Sequence, residues 1–527
     1  MFAKLLNCQG ATVRAIWHQH AGLKTSSLRF ERTTHNPTTA STNAAAGLGS
    51  LTAGAAETAS PSPLQPTPPI AFPPPSPIQG KPELIPGIAL TEFEERRYRL
   101  LDLIRSASDV RSKDSINYIV VLASSAMKFS ADRTPYSFRQ NTDFLYMTGC
   151  QEPDCALVIL MLSGRMRSIM FLQPKDQPIP QWGGVQAGVE GAPMAYGVDE
   201  AYPYSHITSY LSGLLKSERR FSMWFDEREC EHPGTAKVLD EARRNHSTAL
   251  FRSPAAHVQK MRLVKSPAEI AIIRRACEIT GKAFNNTIAA SRPGMNERAI
   301  HARIDAECLK LGAKRLAYPP VVAGGARANR IHYTDNNRQI AKGDLVLMDA
   351  GCEYNSFTSD ITRTWPISGS FSSPQKILYA AVLRVQGALL ENMLGSGPPT
   401  LDTLFNRMCA LFGVELRRIG FMRNATAPEI ARMIPGLCPH HVAHYIGMDV
   451  QDTPLVPRNI PLQPGMVISI EPGLYIPSSR TDVSEMYRGL AIRIEDDVLI
   501  TENGPQLLTG TCVKTLEGLE NLIGSGS

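Results

Sequence analysis

From about residue 87 onward, apolar positions recur along the chain with two distinct periods. "EFEERRYRLLDLI" repeats at helical spacing, whereas "NYIVVLAS", "CALVILML" and "RSIMFLQ" are short β-branched or aliphatic runs that read as strands. Such strands alternate with helical stretches to about residue 250, which predicts an α/β layer domain. A second region begins near Val258 with a strong helix, "SPAEIAIIRRACEITGKAFNNTI". Ser266 is its N-cap, Pro267 its first residue, and Glu269 closes a capping box. A second Ser-Pro start, Ser373-Pro374, heads "QKILYAAVLRVQGALLENML". Each helix precedes, at a distance, strands that end in acidic residues, so an internal duplication is expected.

Those acids carry the candidate chemistry. "DLVLMDAG" puts Asp349 at the end of an alternating run and on the face of Leu345 and Leu347. Asp360, in "SDITRTWPI", follows beyond a Gly351 turn, as in a hairpin. Glu471 comes directly after the strand in "GMVISIEPGLYI"; Glu495 lies inside "LAIRIEDDVLI", with Arg493 on its face and Ile492 and Ile494 opposite. Taken singly, Asp349 reads as a turn residue and Glu495 as a surface carboxylate paired with Arg493.

"HHVAHYIGMDVQD" adds His440, His441 and His444. Two histidines four apart on a helix can share one zinc ion, but a zinc protease needs glutamate where His441 stands. The spacing alone leaves open which histidine binds. Two aspartates, two glutamates and one imidazole form a hard-oxygen set suited to two divalent ions such as Mn²⁺. Two cations about 3.5–4 Å apart can clamp a water and bring its pKa from about 15.7 down toward about 7.

The first thirty residues differ in kind. Phe2, Leu5, Leu6, Val13, Ile16 and Trp17 fall within roughly 120° of a helical wheel, with Lys4 and Arg14 outside it. Lys4, Arg14, Lys24 and Arg29 are unopposed until Glu31, which is the composition of a mitochondrial transit segment. Removing those four cations from a net charge of +6 leaves +2, so the body gives no case for nucleic-acid binding. Residues 31–84 run from Ser/Thr-rich to Pro-rich, with eleven prolines between Pro61 and Pro86, and are expected to form a disordered linker. No run of about 18 apolar residues supports a membrane span. The ten cysteines are scattered without a CxxC pair, which predicts reduced thiols.

"MDAGCEYNSFTSDITRTWP", "PHHVAHYIGMDVQD", "ISIEPGLYIP" and "GLAIRIEDDVLI" together resemble the dinuclear "pita-bread" metallopeptidases, and among them the Xaa-Pro aminopeptidases. "PYSFRQNTDFLYMTGCQEPDCALVI" is similar to the amino-terminal domain of aminopeptidase P, and "AKRLAYPPVVAGGARANRIHYTDNN" to its catalytic domain. The resemblance spans about residues 85–512 and, with the basic start, is greatest to the mitochondrial, intermediate-cleaving branch. It implies an α/β (α+β) chain: a transit segment (1–30), a linker (31–84), an amino-terminal α/β domain (85–255), a pita-bread catalytic domain with pseudo-twofold duplication (256–515) and a tail (516–527).

By that resemblance the metal ligands are Asp349, Asp360, His444, Glu471 and Glu495, with Asp360 and Glu495 bridging two ions. His444 and Glu471 complete one ion and Asp349 the other. A hydroxide between the ions would attack the peptide, with Glu471 as proton carrier. His332 and His440 would contact substrate, Arg493 would orient ligands, and His441 has no role. Gln451 stands in the substrate region where relatives usually have histidine, and it cannot titrate near neutrality. Val185 and Gln186 follow Trp182 where relatives usually have basic residues. The implied activity is removal of one amino-terminal residue from peptides or imported precursors in the mitochondrial matrix, by a homo-oligomer of two or four chains. A prolidase that cuts only Xaa-Pro dipeptides is the alternative within enzymes. A peptide-binding relative that has lost turnover is the alternative of another class, and the five surviving ligands argue against it.

Overall fold

In a computed structural model, the described residues are 83–107, 117–132, 134–174, 187–218, 220–226, 233–245, 250–391, 393, 397–422 and 424–524. The expected transit segment, nearly all of the expected linker, and Trp182, Val185 and Gln186 lie outside them.

Six strands build the amino-terminal sheet: β1 (Asn117–Ala123), β2 (Ala156–Leu162), β3 (Arg165–Leu172), β4 (Glu200–Pro203), β5 (Phe221–Trp224) and β6 (Leu250–Arg252). Their order is β6-β5-β1-β2-β3-β4, antiparallel where β2 meets β1 and β3 and parallel at both flanks. The apolar runs are continuous because both faces are covered. Val120, Leu157, Ile159 and Met170 pack with Phe93, Leu100, Leu101 and Ile104 of α1 (Leu90–Ser106). Ile119, Val158, Leu160 and Phe171 face the other way, onto Ile207, Leu211, Leu215 and Leu239 of two further helices.

Two halves follow, each with a pair of helices ahead of antiparallel strands. The first has α2 (Pro267–Ala290), α3 (Glu297–Lys310) and the antiparallel strands β7 (Val321–Gly324), β8 (Leu345–Ala350) and β9 (Ile361–Pro366). In the second come α4 (Ser373–Glu391), α5 (Leu401–Arg418), β10 (Val467–Ile470), β11 (Gly473–Tyr475), β12 (Ala491–Arg493) and β13 (Asp496–Thr501). One core joins the halves: Phe284 and Ile288 of α2, Val346 and Met348 of β8, Val382 and Val385 of α4, and Ile468 and Ile492 of the later strands.

Helix α2 begins as its sequence dictates, with the Ser266 side chain accepting from Glu269 N–H and Glu269 accepting from Ser266 N–H at 2.8 Å. The second Ser-Pro helix starts at Ser373 itself, so Pro374 is its second residue. Its cap is Ser372, whose carbonyl takes the Lys376 N–H and whose N–H is held by Gln375. Residues 516–524, expected as tail, form a helix (Leu516–Gly524) that buries Leu519 and Ile523. All eight cysteines among the described residues are free thiols. No helix among them is long and apolar enough to cross a membrane.

Ion pairs fasten the amino-terminal sheet domain to the region that follows it. Arg139 donates to Glu353 at 2.9 Å, to the Met448 carbonyl at 2.8 Å and to Asp449 at 2.9 Å. Arg262, from the Ala255–Leu263 helix, holds Asp143 at 2.5 Å and Asp449 at 2.7 Å, and also Asp452. Buried Arg96 stacks on Tyr146 and donates to Glu269 at 2.9 Å, so the α2 capping box is also a domain contact. Removing one partner of a buried pair strands the other charge. Arg262→Met is therefore expected to lower unfolding free energy by roughly 3–5 kcal/mol, read from urea denaturation; an unchanged midpoint would show that the cluster contributes nothing to stability.

Candidate metal centre

The chain brings four acids to one place by strand pairing. Asp349 is the penultimate residue of β8, which runs antiparallel to β9 with Asp349 opposite Thr362; Asp360 immediately precedes β9. Their connection is not a simple turn at Gly351. A small hairpin intervenes, Cys352–Tyr354 with Phe357–Thr358, reversing at Asn355 (φ 47°) and Ser356 (φ 68°). Gly351 is required for another reason: a Cβ there would lie 1.7 Å from the Ser359 carbonyl oxygen.

Glu471 follows β10. Glu495 sits where the chain leaves its pairing with β11 and enters β13, beside β10. An isolated bridge places it against Thr362 of β9, whose hydroxyl donates to Glu495 at 2.7 Å. Behind this point the fully buried Arg363 donates to the Thr362 and Glu495 carbonyls and pairs with Asp496 at 2.7 Å. Glu495 thus joins the two halves.

The histidine segment is not helical. It lies along β10, with Tyr445 bridged to Ile468, Ser469 N–H donating to the His444 carbonyl and Glu471 N–H to the Val442 carbonyl. Helical spacing therefore does not govern which histidine reaches the acids. His444 does: its Nε2 is 3.4 Å from Asp360, 3.7 Å from Glu471 and 3.9 Å from Glu495. Ligand atoms of Asp360, His444 and Glu495 all lie within 4.8 Å of one another. Asp349 joins through Tyr318, whose hydroxyl lies 2.7 Å from Asp349 and also contacts Asp360, so the two carboxylates share its one proton. Its other oxygen takes the Arg493 guanidinium at 2.5 Å.

His440 lies beside this group, with Nδ1 3.4 Å from Glu471. The Tyr475 hydroxyl accepts from Arg493 at 2.5 Å and lies 3.0 Å from His440 Nε2. It can therefore donate to that nitrogen, which assigns the proton to Nδ1, facing the His441 carbonyl at 2.9 Å. Burial, with the Arg493 charge, lowers the His440 pKa to about 3, so this imidazole is neutral. His441 turns away, stacked on Phe405 and 3.6 Å from Asp402. His332 is exposed, on the loop after β7. Gln451 is also exposed and lines a cavity of about 380 Å³ with Arg139, Thr142, Gln259, Arg262 and Asp449.

Charge is under-compensated here. Burial raises Glu471 to about 7 and Asp349 to about 6, each against the pull of Arg493, and raises Glu495 well above its ordinary range. Burial opposes charge on His444, yet its hydrogen bond to Asp360 and the Glu471 carboxylate raise it to about 9. Acidic oxygens pressed together with one imidazole fit divalent cations, which would restore the ionised carboxylates.

Tyr318, Thr362, Tyr475 and Asp497 belong to the site without having been singled out in the sequence. For Thr362 a signal existed: Asp360, Thr362 and Thr364 alternate on one face of β9, and Thr364 Oγ1 donates to the Arg493 carbonyl at 3.0 Å. Asp497 accepts the Asp360 N–H at 2.8 Å. Tyr318 and Tyr475 give no comparable pattern.

Comparison with known proteins agrees with this architecture. Residues 271–502 match the model of metallopeptidase family M24, and residues 93–224 that of the aminopeptidase P amino-terminal domain. Xaa-Pro aminopeptidase 3 of Rattus norvegicus is 39% identical over 450 residues, covering 84% of this chain and 87% of that protein. Mitochondrial intermediate cleaving peptidase 55 of Arabidopsis thaliana is 35% identical, covering 84% of each. A zinc-substituted Escherichia coli aminopeptidase P in complex with product has a TM-score of 0.73 and 31% identity, covering 84% of this chain and 99% of that one. Fold and site together define a metallopeptidase of the pita-bread class, joined to an aminopeptidase P amino-terminal domain. Within that class the chain belongs to the Xaa-Pro aminopeptidases, in the branch of Xaa-Pro aminopeptidase 3 and intermediate cleaving peptidase 55. It is a metalloaminopeptidase.

Protons held by Asp349 and Glu471 up to pH about 6 and 7, and by His444 up to about 9, must leave before a cation binds. Calorimetric titration with Mn²⁺ is expected to show affinity rising from about pH 5.5 to about pH 9, with protons released to buffer. Affinity independent of pH across that window would contradict this account of the site.

Proposed function

We propose that this enzyme removes a single amino-terminal residue from peptides or imported mitochondrial precursors, using two divalent ions, most suitably Mn²⁺, held by Asp349, Asp360, His444, Glu471 and Glu495. The observation that carries the reading is the buried Asp360–His444–Glu495 group, with Asp349 and Glu471 attached to it. Bound cations of this type supply an acidified water and polarise a carbonyl. Glu471 has a pKa near 7 and one oxygen toward His444 and the other toward His440, so it can take a proton and return it to a leaving amine. His440, neutral and held between Tyr475 and the His441 carbonyl, is proposed to contact substrate without adding charge. Arg493 holds Asp349 directly and reaches Glu495 through Thr362 at 2.9 Å. Of the two exposed residues, His332 is proposed to meet the substrate and Gln451 to lie farther out.

A mitochondrial location in the matrix is supported by the basic start and by the naming of the Arabidopsis relative. A homo-oligomer of two or four chains remains part of the proposal.

The test is release of the first residue from Xaa-Pro peptides and from Tyr- or Phe-led precursor termini, with Mn²⁺ supplied and metal content measured. Turnover of tripeptides and longer chains excludes a strict dipeptidase. No turnover of either substrate by metal-loaded protein would leave the binding-protein alternative standing. Glu471→Gln should lower kcat by about 10²-fold or more. Gln451→His should alter kcat or its pH profile only if position 451 takes part in proton transfer.

A further inference from the structure

His332 stands on an exposed loop, yet that loop is tied down at both ends by one carboxylate that no part of the mechanism uses. Glu297, at the start of α3, is 0% exposed. Its Oε1 accepts the Gly324 N–H at 2.9 Å and Arg327 Nε at 2.7 Å; its Oε2 accepts the Tyr333 hydroxyl at 2.8 Å and the Arg338 N–H at 2.9 Å. Gly324 and Arg338 are the two ends of the segment that carries His332, and Tyr333 is its immediate neighbour. The Glu297 N–H in turn donates to the Arg338 carbonyl at 2.9 Å. One side chain therefore closes the loop and anchors its middle.

The loop is also registered against the site. Tyr333 belongs to a small apolar cluster with Val321, Leu347, Tyr475 and Ala491. Leu347 lies on β8 two residues before Asp349, and Tyr475 is the hydroxyl that holds His440 and Arg493. Asn329 adds a tie to the Gly489 carbonyl at 3.2 Å. A buried carboxylate with its donors distributed in this way fixes position rather than reactivity.

We propose that Glu297 is a positioning residue for substrate, acting through the Gly324–Arg338 loop to hold His332 in place; this rests on His332 meeting the substrate. Glutamine at 297 keeps the shape but turns one acceptor into a donor, so two of the four donors lose their partner. Tyr333→Phe removes a single donor and is the milder variant should Glu297→Gln fail to fold.

The experiment is a double-mutant cycle on peptide hydrolysis with Mn²⁺-loaded protein: wild type, His332→Ala, Glu297→Gln, Tyr333→Phe, and each loop variant combined with His332→Ala. Glu297→Gln is expected to lower kcat/KM about tenfold and Tyr333→Phe about threefold, with bound metal unchanged. Amide hydrogen exchange at Gly324 and Arg338 should become faster in Glu297→Gln. In the His332→Ala background neither change should cost more than about twofold further. Losses that multiply, or wild-type kcat/KM in both Glu297→Gln and Tyr333→Phe, would overturn the positioning role while leaving the substrate role of His332 intact. A silent His332→Ala would overturn both, and so separates the two failures.

Discussion

Buried carboxylates of like charge must be held together before this protein can do anything, and much of the catalytic half answers that requirement. Two like charges about 4 Å apart repel by roughly 4 kcal/mol in a partly shielded setting. Flexible loops would relax away from such a cost. Here Asp349 lies next to the end of a strand, Glu471 directly follows one, Asp360 directly precedes one, and Glu495 lies at a crossover between two. Arg493 and Arg363 brace them from within, the first at Asp349 and Thr362, the second at the carbonyls of Thr362 and Glu495. The residual imbalance, visible in the raised Glu471, Asp349 and Glu495, is what a divalent cation can use.

The amino-terminal domain is part of the same scaffold. Arg139 reaches Glu353, in the hairpin between Asp349 and Asp360, and also Met448 and Asp449, just beyond His444. Arg262 reinforces the second contact through Asp449 and Asp452. The segments that carry Asp349, Asp360 and His444 are thus held at their outer ends by a neighbouring domain, and Gln451 sits in the cavity between these charges rather than among the acids. Gln451 is thus placed where the domains meet.

Much of the fold was legible because burial leaves periodic marks. Continuous runs such as "CALVILML" announce strands covered on both faces, and the Ser266 capping box has the geometry that its spacing implies. The acids were legible for the converse reason, charge being out of place in apolar strands. What escaped was long-range or conformational. Gly351 looked like a turn, but its constraint is the approach of Ser359, a residue whose place depends on a hairpin. The histidines invited a helical reading, whereas pairing with β10 keeps them extended. Tyr318 is an ordinary tyrosine locally and becomes part of the site only when β8 and β9 bring two aspartates to its hydroxyl. Glu297 is hidden in the same way, as its four partners come from a loop that begins 27 residues later.

We propose that this carboxylate group holds two cations. A crystal of the protein grown with Mn²⁺, measured at a wavelength where manganese scatters anomalously, is the decisive measurement. Two anomalous peaks are expected among Asp349, Asp360, His444, Glu471 and Glu495, with Asp360 and Glu495 touching both. A metal-saturated crystal with no peak among these five side chains would contradict the proposal.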